Sequence, residues 1–179
     1  ELVQILSEAQ VIDAQTNWVG GKTHLVSLGD LVDRGRDSRK VIELVMKLEQ
    51  QAEAAGGAVH VVLGNHEVMV MIGDWRYISK PEYAAFRGEE STAAREALLD
   101  RYRLDNPKLS EEEILRNLGN WFPPGFLGLE QAYSPKGKIG SWLLQKPFII
   151  RINQSPYMHG GISTDIAEKS LKSINEDNK

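Results

Sequence analysis

Hydrophobic positions along the chain follow two alternating periods. Leu2, Ile5, Leu6 and Ala9 recur at helical spacing and predict an amphipathic helix from Glu1 to Val11, already under way at the first residue as if the chain began inside it. Gly20-Gly21 interrupts this pattern ahead of Thr23-His24-Leu25-Val26-Ser27-Leu28, a short β-rich run that ends in Gly29-Asp30. Asp37 or Ser38 caps the next helix, whose apolar stripe is Val41, Leu44, Val45 and Leu48, and Gly56-Gly57 stops it after Ala55. Ala58 to Leu63 is a second short buried strand, ending in Gly64-Asn65. Strand, loop, helix, strand, loop predicts a βαβ unit with parallel strands, and therefore an α/β fold.

Beyond Glu67 the text becomes charged and helix-forming. Helices are predicted over Pro81 to Arg87, Glu89 to Arg103 and Ser110 to Leu118, the last opening on the capping-box spacing of Ser110-Glu111-Glu112-Glu113. The charged face of the middle one reads as solvated, with Glu96 and Asp100 set against neighbouring arginines. Trp121 to Gly125 closes the region as a rigid aromatic loop, and Trp75, Tyr77, Trp121 and Phe122 are expected to anchor it to the core. About 73–129 thus reads as a helical cap inserted in a single domain spanning 1–179. A short helix over Gly140 to Leu144, a strand over Pro147 to Ile152 and a hairpin turn at Asn153-Gln154-Ser155 lead into His159-Gly160-Gly161. Ser163 then caps a helix toward Ile174, followed by a charged tail.

Composition narrows the chemistry. A chain of 179 residues, 41% hydrophobic and 26% charged, is large enough for one core and too apolar for disorder. A net charge of −4 gives no basic surface for a nucleic-acid backbone, so nucleic acid is not expected as a partner. The absence of cysteine excludes thiolate nucleophiles, disulfides and sulfur-ligated metals, which leaves His, Asp, Glu and Asn as metal donors. No apolar run approaches the length of a bilayer span. No signal peptide is visible, but the chain starts at Glu1 without Met, so cytoplasm and periplasm both stay open.

Three loops carry the chemistry, each after a predicted strand: Gly29-Asp30-Leu31-Val32-Asp33-Arg34-Gly35, Gly64-Asn65-His66-Glu67 and His159-Gly160-Gly161. Glycine-permitted turns at strand ends gather polar ligands at one edge of an α/β fold. Asp30, Asn65 and His159 supply a carboxylate, a carbonyl and an imidazole, a partial shell for a divalent metal.

GD-x-VDRG, then GNHE, then HGG, in that order, resembles the calcineurin-like metallophosphoesterases and within them the phosphoprotein phosphatases. Trp142-Leu143 before the hairpin, HGGIS after it and the helical stretch following GNHE are most similar to the bacterial Shewanella-like phosphatases. The resemblance implies a sandwich of two mixed sheets flanked by helices. It implies a phosphatase that attacks phosphomonoesters with a metal-bound hydroxide, on a phosphorylated protein, peptide or small molecule. Two divalent ions (manganese, iron or zinc) would lie about 3.5–4 Å apart across a shared carboxylate, which is Asp30 here, with Asn65 and His159 on the second ion. Arg34 would bind phosphate oxygens, as would Asn65 and His66. His66 would also protonate the leaving oxygen, oriented by Asp33, and Glu67 would support these groups from behind.

Two parts of the family pattern do not occur. The GD-x-HG motif that holds the first metal is missing, and no histidine follows His159, so the chain is expected to be a fragment that holds two metals poorly and catalyses poorly as it stands. A nucleotide pyrophosphatase or phosphodiesterase with the same motifs, and a non-catalytic binding domain, are the rival readings. His24 and His60 stand in no family ligand position and read as structural histidines. Taken alone, Asp30 to Asp33 would pass for a capped loop, and only the companion motifs reverse that.

Overall fold

The computed structural model describes residues 1–176, so the expected charged tail at 177–179 lies outside the described residues. Helix α1 (Leu2–Glu8) is shorter than predicted; it buries Leu6 in the core and packs a partly covered Leu2 against it, while Ile5 faces outward. Strands β1 (His24–Ser27) and β2 (Ala58–Val61) pair in parallel, Leu25 beside Val59 and Ser27 beside Val61. Helix α2 (Ser38–Ala54) makes the crossover between them. Its buried stripe is Ile42, Val45, Leu48 and Ala52, which keeps Val45 and Leu48 of the predicted one. Val41 and Leu44 sit at the stripe's margin and are only partly covered.

β2 ends two residues sooner than its apolar run. Val62 still donates to the Ser27 carbonyl at 3.1 Å, but Leu63 turns to the Pro147 carbonyl at 2.9 Å. Pro147 leads into the antiparallel hairpin of β3 (Ile149–Ile152) and β4 (Ser155–Met158), closed by Asn153 at φ 55°. The run therefore bridges the two sheets. The class is α/β, and among the described residues the strands form one parallel and one antiparallel pair.

The glycine-flanked Asn65-His66-Glu67 is not a loop, as predicted, but the first turn of α3 (Asn65–Met71). The helical region that follows holds α4 (Lys80–Ala84), a 3₁₀ turn at Arg87–Glu89, α5 (Thr92–Asp105), α6 (Glu111–Trp121) and α7 (Phe126–Tyr133). Ser110 caps α6 as predicted, exchanging bonds with Glu113. α7 was hidden by Gly125 and Gly128, yet it buries Phe126, Leu129, Ala132 and Tyr133. α5 buries nothing and carries ion pairs such as Arg101–Asp105 and Arg103–Asp100, in keeping with a solvated face. Trp75 and Phe122 do anchor the region, edge-on to Phe126, but Trp121 is 72% exposed. After α8 (Lys138–Leu143), the helix predicted from Ser163 is split into α9 (Thr164–Ala167) and α10 (Leu171–Glu176).

Candidate active site

The loops after β1 and β2 meet backbone to backbone. A Cβ on Gly29 would strike the Gly64 backbone, and one on Gly64 would strike the Asp30 carboxylate and amide, so only glycine fits at either place. Glu67, fully buried, holds the contact closed. Its carboxylate accepts from the amides of Asp30 at 2.8 Å, Leu31 at 2.6 Å and Gly64 at 2.8 Å. One side chain thus satisfies three backbone donors from two loops, which fixes Asp30 against the start of α3.

Asp30, Asp33 and Arg34 all adopt positive φ, between 55° and 68°. Non-glycine residues take this conformation at a cost, and three in one short loop mark a backbone held by its surroundings. The effect is to turn Asp33 inward and leave Asp30 and Arg34 outward. Asp33 accepts from His66 Nδ1 at 2.8 Å, and both groups are almost wholly enclosed. Burial pushes the Asp33 carboxyl above its usual range, against the His66 hydrogen bond that pulls it down. Asp30 Oδ1 accepts from the His66 amide at 3.3 Å, and Oδ2 lies 3.4 Å from His159 Nε2. His159 Nδ1 lies 2.7 Å from the Leu28 carbonyl; donating there leaves the Nε2 lone pair facing Asp30.

The structure therefore brings Asp30, Asp33, His66, Glu67 and His159 into one connected group. Asn65 is less tightly joined: its side chain is exposed, with Met69 Sδ at 4.0 Å, and it shares with His159 a largely apolar cavity of about 480 Å³. Arg34 is exposed, its guanidinium 5.1 Å from the Tyr77 ring and its amide donating to the Tyr77 carbonyl at 3.1 Å.

Two neighbours of the site were not singled out by its motifs. Tyr77, expected to anchor the cap, instead sets its ring edge-on to His66 at 5.1 Å while flanking Arg34. Its proximity to a charged residue and a histidine far away in sequence left no local signal. Glu82, at the buried face of α4, accepts from the Ser38 amide at 3.2 Å, and its carboxyl is raised by burial and further by the nearby Asp33 charge. A glutamate in a predicted surface helix gives no hint of this, because only tertiary packing encloses it.

Asp30 and His159 fit a divalent cation on donor chemistry, since a carboxylate oxygen and an imidazole lone pair face each other at cation-bridging separation. Among the described residues no group of three or more His, Asp or Glu gathers around one point.

Residues 5–179 match the calcineurin-like phosphoesterase family. The sequence is 32% identical to Shewanella-like protein phosphatase 2 of Arabidopsis thaliana, over 94% of this chain and 45% of the relative. It is 25% identical to Shewanella-like protein phosphatase 1 of Plasmodium berghei, over 96% of this chain and 38% of the relative. The fold superposes on the cold-active protein-tyrosine phosphatase of a psychrophilic Shewanella sp. with a TM-score of 0.67 and 34% identity, over 98% of this chain and 43% of that one. The chain spans less than half the length of each of these proteins. The relatives extend from a bacterium to a plant and a protozoan, beyond the bacterial group the motifs suggest.

Proposed function

The chain belongs to the calcineurin-like phosphoesterase family, whose members generally use divalent metal ions, and on that premise we propose that its loops serve a phosphatase acting on phosphomonoesters of proteins or peptides. The observation that supports this most is the closure of the loop after β1, the first turn of α3 and the His159 loop on Asp30, with His66 on one oxygen, His159 on the other and Asp33 behind the His66 ring. The phosphatase names of the relatives point the same way.

In this reading Asp30, His159 and Asn65 hold divalent cations, for which manganese, iron and zinc are all suited, and 73–129 caps one face of a single domain. When bound, such cations neutralise phosphate charge and acidify the attacking water. Arg34 holds two phosphate oxygens with its planar fork, and the Tyr77 ring and carbonyl keep it from swinging away. His66 passes its Nε2 proton to the departing oxygen. Asp33, accepting the Nδ1 proton, orients the ring so that the second proton of the imidazolium, on Nε2, is the one transferred.

The test uses the full-length protein, stripped with a chelator and reloaded with each metal in turn. Turnover of a phosphopeptide and of nitrophenyl phosphate should return with metal, and Asp30→Asn should lose metal content and turnover together. Preferential cleavage of a dinucleotide polyphosphate would move the assignment to a pyrophosphatase, and metal uptake without any hydrolysis would leave a binding domain.

A further inference from the structure

On the parallel sheet, apart from the active-site loops, β1 and β2 present two histidines to each other. His24 opens β1 beside Ala58, and His60 lies two residues further along β2, beside Val26. Positions two apart on a strand share a face, so both rings stand on the same side of the sheet. Their nitrogens, His24 Nδ1 and His60 Nε2, are 3.0 Å apart, with ring centroids at 5.1 Å.

Such a pair can share a single proton on the line between the two nitrogens, and a turn of each ring aims both lone pairs instead at a metal ion beside that line. With metal–imidazole bonds of about 2.0–2.1 Å, a 3.0 Å nitrogen separation sets a ligand–metal–ligand angle of about 90–95°. That is the cis angle of square-planar and octahedral ions and is too narrow for a tetrahedral one. Affinity for imidazole peaks at copper(II), with nickel(II) next below it in the series. We propose that His24 and His60 form a two-imidazole site for a square-planar or octahedral divalent metal, copper(II) or nickel(II), separate from the active-site cations.

Three features of the surroundings support it. The backbone ladder of the parallel pair fixes the spacing, so little ordering is needed on binding. Burial, with the neighbouring His24 charge adding to it, lowers the His60 pKa, which favours the unprotonated ring a metal requires. The carboxylate that acts on His60, Glu49, is held by Trp142 Nε1 at 2.8 Å and Lys146 Nζ at 2.5 Å, so water completes the coordination at this exposed edge. Occupancy would clamp β1 to β2, the strands whose far ends carry Asp30 and Asn65, and stabilise the fold by mass action.

The experiment titrates the chelator-stripped chain with copper(II), followed by electron paramagnetic resonance, and measures melting with nickel(II). A copper signal coupled to two imidazole nitrogens, and a rise in melting temperature with nickel that persists without His159, are expected in the parent. Both should be lost in His24→Gln and in His60→Gln, and both kept in His159→Ala. The same two-nitrogen copper signal in the His24→Gln chain, or its loss in His159→Ala, would place the metal elsewhere and overturn the proposal, as would its absence from the parent. His24 is solvent-exposed, so His24→Gln decides the matter even if His60→Gln folds poorly.

Discussion

His66 and Asp33 show how burial changes what a side chain can do. A histidine that is 2% exposed, gripped through Nδ1 and edged by Tyr77, has only its other nitrogen for chemistry. His66→Asn in the full-length protein is expected to lower kcat by about 10²–10⁴-fold on an alkyl phosphate, whose leaving oxygen needs a proton, and much less on nitrophenyl phosphate, whose anion leaves unaided. Asp33→Asn should reproduce the pattern more weakly, because the ring stays but loses its anchor. Equal losses on both substrates at unchanged metal content would remove the proton-donor role. Arg34→Lys should recover only part of the activity lost in Arg34→Ala, since a lysine ammonium cannot offer paired donors; full recovery would make the arginine structural. The convergence of Asp30, Asp33, His66 and His159 was legible in the sequence because motif residues cluster just after apolar runs, whereas Arg34 and Asn65 stand exposed beside them. Tyr77, Glu82 and the His24–His60 pair were not legible, because each acquires its role from a residue on another element: Arg34 for Tyr77, Ser38 for Glu82 and, for the histidines, each other across two strands.

At the scale of elements, the site depends on α3 starting where β2 stops. Glu67 lies on the first turn of that helix, and its three amide partners span the gap between the strands' loops. Glu67→Ala would orphan all three donors, at roughly 1–3 kcal/mol each when buried, so a loss of about 3 kcal/mol or more is expected in urea unfolding. Leu48→Ala, in the middle of α2, should cost about 2–5 kcal/mol through the cavity it leaves, without touching any site residue. If Glu67→Ala proved no more costly than an exposed substitution, the lashing of the two loops would be incidental. The βαβ order and the hairpin were readable from period and turn chemistry. The helical start at Asn65 and the whole of α7 were not, since glycines that read locally as breakers are there to let backbones approach, and tertiary packing overrides the propensity.

Over the whole molecule, the carboxyls enclosed beneath the site set the response of stability to pH. Glu82 and Asp33 are raised by burial in the folded state and return to ordinary values on unfolding. Between the ordinary and the raised value the folded chain therefore holds a proton that the unfolded chain has lost. Their contribution is complete below the ordinary carboxylate range and fades as pH climbs through the raised folded value. Asp37 and Glu111 are lowered by their Lys40 and Arg103 partners and run the other way, but these are exposed pairs with little weight. Of the two buried acids Glu82 is the better probe, because Asp33 is tied to His66. Glu82→Gln keeps an oxygen for the Ser38 amide and removes the ionisation. The variant should match the parent below the ordinary carboxylate range, exceed it progressively as pH climbs through the raised folded value and keep a constant margin above it, read as the midpoint of urea unfolding at each pH. Midpoints that run parallel across that range would show that Glu82 ionises in the folded chain without cost, and that the enclosed face of α4 admits water.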